Sequence, residues 1–216
     1  MISETVKVFF VVLCLFSGSA GLANAGPAAE SLIDAAMREC DLGRIAQDRT
    51  SRVMHFEKGQ GFGEQAVAVD DQSAAAHFAL FCNIGELMRI DGEISISSVF
   101  GFRRMMNELE RTLELAPDHL DALSAKGTFL VRLPSLLGGN ADEGEQLLHY
   151  VIRKEPQAVN ARLSLARSFC SRGRHHDAVA LASEALTIAQ AQHRQDLIPE
   201  ATRIITQLRA NASKAN

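Results

Sequence analysis

Cys170, His175 and His176 are the side chains whose types and proximity could hold a soft metal ion, since one thiolate and two imidazoles are ligands that zinc and copper accept. Their spacing does not complete a tetrahedral set, and the next imidazole, His149, belongs to a different segment. They are read as structural or solvent-facing residues, and no metal or cofactor is expected. The glycine-rich stretches Gly59-Gln60-Gly61-Phe62-Gly63 and Gly138-Gly139-Asn140 could cradle a phosphate only if each followed a buried strand and ran into a Gly-Lys-Ser/Thr sequence. Neither does, and both are read as bends. The chain has no serine nucleophile elbow, no His-Glu-x-x-His pair and no two carboxylates sharing an apolar helix face, so no catalytic residue is assigned and no enzyme is expected. Asn211-Ala212-Ser213 is a glycosylation sequon only for a chain in a eukaryotic secretory pathway.

The elements that would position such residues are those of one folded core. Of 216 residues, 47% are apolar and 22% charged, a globular composition. With 11 phenylalanines, one tyrosine and no tryptophan, the core must rest on Leu, Ala, Val and Phe, which favours packed helices. A net charge of −4 lacks the basic footprint of a nucleic-acid or polybasic membrane binder. Residues 1–25 differ from the rest: Lys7, an apolar run from Val8 to Phe16, then small residues ending in Ala23-Asn24-Ala25. That three-part pattern predicts a secretory signal peptide cleaved after Ala25, and therefore a periplasmic or secreted protein. Cys14 follows Leu13 inside the apolar run, which does not fit a lipidation signal. The remaining cysteines, Cys40, Cys82 and Cys170, can form at most one bridge and are read as small buried residues on helices.

Internal repetition carries more information. Three junctions align: Val67 to Ala76 through Asp70-Asp71, Glu114 to Ala122 through Pro117-Asp118, and Lys154 to Ala161 through Pro156. Each ends one helix and starts another. Proline cannot continue the preceding helix, and the aspartates can accept hydrogen bonds from the next helix start. Asp71 to Pro117 spans 46 residues and Pro117 to Pro156 spans 39. Against a helix-pair period of about 34, these leave excesses of about 12 and about 5 residues. The smaller excess fits a widened loop at Leu133-Pro134-Ser135-Leu136-Leu137-Gly138-Gly139. The larger is placed at residues 89–101, where Asp91-Gly92 is expected to break a helix and Ile94-Ser95-Ile96-Ser97 loses helical period.

After Pro156, Leu165, Ala166, Phe169, Gly173, Ala178 and Ala185 follow the order large, small, aromatic, turn glycine and two close-contact alanines. This pattern resembles the tetratricopeptide-repeat family. Gly127, Leu130, Gly144, Leu148 and Val151 echo it in the preceding unit, and Phe78, Leu80, Ile84, Phe102, Met105, Leu109 and Leu113 do so more loosely before that. The resemblance implies an all-α helical-hairpin array of about three units over residues 72–209. An N-terminal helical extension of one or two helices precedes it at 26–71, Pro199 to Arg209 closes it, and 210–216 is expected to fray. Within the family, the stretch Leu133 to Asn140 and the inserted linker resemble the T-component proteins of tripartite periplasmic (TRAP) transporters, and more distantly the regulator-of-microtubule-dynamics proteins. That likeness implies an accessory role beside a substrate-binding protein, without chemistry.

Such an array implies a concave face, lined by the first helix of each pair, that holds a peptide or helix of a protein partner. Repeat register places Phe78, Cys82, Ser124, Thr128, Asn160, Leu163 and Arg167 toward it. The two-lysine, two-asparagine clamp some members use for a C-terminal carboxylate is absent. Phe, Ser, Thr and a single arginine predict an apolar or mildly polar peptide. The alternatives are a carrier of a small apolar ligand between the N-terminal helices and the repeats, and a metal-handling protein built on Cys170 and the histidines.

Overall fold

A computed structural model describes residues 26–91 and 96–214. The expected leader at 1–25 and the centre of the expected linker at 92–95 lie outside the described residues. Among the described residues every regular element is helical: α1 (Pro27–Ile45), α2 (Arg49–Val69), α3 (Ala74–Asp91), α4 (Ile96–Leu115), α5 (Leu120–Arg132), α6 (Ala141–Lys154), α7 (Val159–Ser171), α8 (His175–Ala191) and α9 (Ile198–Lys214). Consecutive helices pair as α1/α2, α3/α4, α5/α6 and α7/α8, and α9 packs on α8 and α7 to close the row. The N-terminal extension is thus a full hairpin joined to the array through α2 and α1 on α3. No helix among the described residues is long and apolar enough to cross a membrane.

Local chemistry sets the helix starts. Asp48 caps α2 by accepting from the Ser51 N–H at 2.8 Å, and Asn140 caps α6 by accepting from the Glu143 N–H at 3.2 Å. Asp142 and Glu143 open α6 while Arg153 and Lys154 end it, matching charge to the helix dipole. At two junctions the cap is not the aspartate expected from the sequence. Ser73 accepts from Ala76 at the start of α3 while Asp70 serves the intervening turn, and His119 Nδ1 accepts from Ala122 at the start of α5.

The two inserted stretches have different fates. The smaller is the loop expected, a short 3-10 turn at Ser135–Leu137 closed by Gly138 at φ 87°. The larger is shorter than expected: α3 ends at Asp91, where the sequence placed the break, but α4 begins at Ile96, so most of the added residues lengthen the second hairpin's helices to 18 and 20 residues, against 13 and 14 in the third. At the chain's end α9 likewise continues to Lys214, past the end at Arg209 read from the sequence.

The triplet Gly59, Gly61 and Gly63, read above as a bend, lies inside the continuous helix α2. Gly59 faces the side chain of Asn83, and a Cβ on Gly63 would lie 2.9 Å from the Leu80 Cα on α3. The glycines let two helices approach closely, a tertiary gain that outweighs the ~1 kcal/mol per residue glycine costs a helix. Gly127 and Gly144 do the same for α5 and α6, where a Cβ on Gly144 would lie 2.8 Å from the Gly127 carbonyl oxygen.

Two apolar clusters fill the array. Cys40, Phe56, Leu80, Met105 and Leu109 belong to the N-terminal one, while Leu148, Leu163, Leu165, Phe169 and the fully buried Ala178, Ala182, Ala185 and Ala189 belong to the other. Helix α5 joins them: its Phe129 ring meets Phe81 and Phe102 edge-on, with centroids 6.4 and 6.0 Å apart.

Candidate binding groove

The odd-numbered helices form the inner layer, with α1 on α3, α5 on α7 and α7 on α9. Two cavities open on that layer. One, of about 400 Å³, is lined by Arg132 of α5, Arg167, Cys170 and Ser171 of α7, and Arg203, Ile204 and Gln207 of α9. The other, of about 230 Å³, lies between Arg44 and Arg52 near the α1–α2 turn, Glu86 and Arg89 of α3, Asn160 of α7, and Arg194, Asp196 and Glu200 around the start of α9. Since the end of α1 and the α8–α9 turn line the same cavity, the row of helices curls until its first and last members approach.

Arginine dominates this surface, with seven guanidinium groups lining the two cavities against three carboxylates. The carboxylates are already engaged. Arg167 pairs with Glu200 at 2.6 Å, Arg194 donates twice to Asp196 at 2.8 and 2.9 Å, and Arg44 donates to Glu86 at 2.9 Å. Arg89 reaches Glu86 only at 3.4 Å. Arg132 and Arg203 have no carboxylate partner among the described residues, and the buried Nε of Arg52 has no hydrogen-bond acceptor. Burial, followed by the neighbouring positive charges of Arg132, Arg203 and Arg89, pulls the Arg167 guanidinium below its ordinary pKa against the opposing pull of Glu200.

Of the residues that register placed on the concave face, Asn160 and Arg167 line the cavities. The others have structural surroundings. Thr128 donates to the Ser124 carbonyl at 2.8 Å and is hydrogen-bonded at 2.7 Å to the Ser164 hydroxyl, which ties α5 to α7. Phe78 stacks between Phe81 and the His119 ring. Leu163 is 1% exposed, and Cys82 and Ser124 are also buried, so these three support the inner layer from below. The two cavities are thus lined mainly by arginines, while the Phe, Ser and Thr side chains named from register make helix contacts.

The residues missed were Arg44, Arg89, Arg132 and Arg203. Their spacing gives only a loose signal, since Arg132, Arg167 and Arg203 follow one another at 35 and 36 residues while α5, α7 and α9 start 39 residues apart. Arg44 to Arg89 and Arg89 to Arg132 are 45 and 43, longer in step with the longer N-terminal hairpins.

The remaining chemical candidates separate. Among the described residues no three His, Cys, Asp or Glu side chains gather as a metal group: His176 is fully exposed, the His149 ring lies against Phe169, and Cys170 faces the first cavity. Cys40, Cys82 and Cys170 are free thiols. The neighbouring Cys82 thiol, together with burial, holds the Cys40 thiol above its ordinary pKa.

No family model and no curated protein matches the chain. Solved structures do. A thermophilic TPR protein of Thermus thermophilus superposes with a TM-score of 0.53 at 18% identity, over 83% of this chain and 98% of that one. MamA from Desulfovibrio magneticus RS-1, residues 41 to the end, reaches a TM-score of 0.49 at 12% identity over 88% and 98%. A further MamA crystal structure reaches 0.47 at 16% over 77% and 81%. The first of these likenesses is one of fold, and with the paired helices it defines this chain as an all-α array of the tetratricopeptide type.

Proposed function

We propose that this protein is a non-catalytic scaffold that holds a segment of a partner protein in the groove of its odd-numbered helices. The observation that carries the reading is the groove itself: two open cavities reached by side chains from α1, α3, α5, α7 and α9. Stacked hairpins offer such a surface to an extended or helical segment, and no constellation along it supplies a nucleophile with its base. The three-part leader at residues 1–25 supports a site of action in the periplasm or outside the cell, and the Leu133 to Asn140 stretch supports an accessory role in transport or envelope assembly. A small apolar ligand between the N-terminal helices and the repeats is the weaker reading, because Phe56, Leu80 and Asn83 pack that region closely.

Photoreactive residues at Asn160 and Gln207, crosslinked in intact cells, test the scaffold. One partner recovered from both positions supports it. Adducts with no protein from either position overturn it.

A further inference from the structure

Each of the five inner helices contributes one arginine to the cavity surfaces: Arg44 from α1, Arg89 from α3, Arg132 from α5, Arg167 from α7 and Arg203 from α9. Arg132, Arg167 and Arg203 of α5, α7 and α9 line one cavity together, while Arg44 and Arg89 of α1 and α3 line the other. They gather in a chain whose net charge is −4, so the rest of the protein is acidic while this face is not. Glu200 satisfies Arg167 and Glu86 satisfies Arg44, whereas among the described residues Arg132 and Arg203 have no carboxylate partner.

We propose that the occupant of the groove is an acidic segment of the partner protein, whose Asp and Glu carboxylates are taken by these arginines. The inference rests on the scaffold reading above and specifies its ligand. A planar guanidinium takes a carboxylate through two parallel hydrogen bonds, the pairing Arg194 already makes with Asp196 at the groove's edge. Packed helices lie about 8–10 Å apart and an extended chain rises about 3.3 Å per residue. Where the inner helices touch, as α5, α7 and α9 do, one arginine therefore meets about every third residue of an extended segment. A lone phosphate would use only one or two of them. Arginines on successive inner helices fit a ligand that repeats its charge along a chain.

The test uses the full mature chain and a fluorescein-labelled peptide of about twelve residues with glutamate at every third position, beside its glutamine counterpart, read by fluorescence anisotropy. The glutamate peptide is expected to bind, with an affinity that falls as salt rises, and the glutamine peptide to bind at least tenfold more weakly. The double variant R132E/R203E is expected to lose at least tenfold in affinity for the glutamate peptide. Both side chains are exposed, with no ion pair among the described residues, so the variant should keep the wild-type melting temperature. R103E/R153E, which reverses exposed arginines on α4 and α6, provides the control and should bind as wild type does.

Equal binding of the two peptides, no loss in R132E/R203E, or an equal loss in the control would each overturn the proposal. So would full displacement of the peptide by millimolar inorganic phosphate at constant ionic strength, which would mark a single-anion site. Crosslinking from Asn160 and Gln207 keeps the two levels apart. If it still captures a partner after the peptide test fails, the scaffold stands and its acidic ligand falls; if it captures none, the scaffold falls as well.

Discussion

Gly61→Ala and Gly63→Ala make the same chemical change two residues apart in α2, yet they should move stability in opposite directions. Alanine favours a helix interior over glycine by about 0.8–1.0 kcal/mol. At Gly61 nothing lies within 4 Å of the added methyl group, so most of that gain should survive. At Gly63 the methyl group would meet the Leu80 Cα at 2.9 Å and its Cβ at 3.0 Å. Both neighbours are fixed by the backbone of α3, which cannot swing aside as a side-chain tip would. Relief requires α2 and α3 to separate, at the ~1–3 kcal/mol typical of overpacking and at further cost as Leu80 loses contacts. We expect Gly61→Ala to stabilise by about 0.5–1 kcal/mol and Gly63→Ala to destabilise by about 1–2 kcal/mol. In a chain of this size, each kcal/mol corresponds to roughly 2–4 °C in melting temperature. Urea unfolding followed by circular dichroism reads both, provided the m-value is unchanged between variants. Stabilisation by Gly63→Ala equal to that of Gly61→Ala would refute the close α2–α3 approach and restore the triplet to a simple helix weakness.

Other expectations follow from particular side chains. Gly173 sits at φ 76° in the α7–α8 turn, and Gly173→Ala should cost about 1–2 kcal/mol, measured by the same unfolding assay. Asp196 is held below the usual carboxylate pKa: burial pushes it up, but its hydrogen bonds and charge pairing with Arg194 prevail. A depressed folded pKa contributes stability that is full above the unfolded value near 4 and is lost as pH falls through the folded value. Stability measured against pH should therefore fall less steeply on the acid side in Asp196→Asn than in wild type, while an unchanged slope would refute the pairing. Cys170 lines an open cavity whereas Cys40 and Cys82 are buried, so mass spectrometry after brief alkylation of the native protein should find label on Cys170 first.

What the sequence determines by itself is whatever short-range chemistry settles. Helix character, the junctions at Pro117 and Pro156, the widened loop through Gly138 and the alanine-lined hairpin after Pro156 depend on residues within a turn or two of each other, and all were legible. The tertiary structure decided the features whose partners lie far along the chain. Glycine triplets read alike as breaks or as contact surfaces until a facing helix supplies Leu80 and Asn83. The break at Asp91 was legible, but that most of the excess around it lengthens α3 and α4 shows only beside the neighbouring hairpins. Of the residues named from register only Asn160 and Arg167 line the cavities, because a repeat register assigns a face without saying which side chains on it sink into helix contacts. Arg132, Arg167 and Arg203, 35 and 36 residues apart, come to line one cavity only because α5, α7 and α9 stack on one another, which packing sets and local propensity does not.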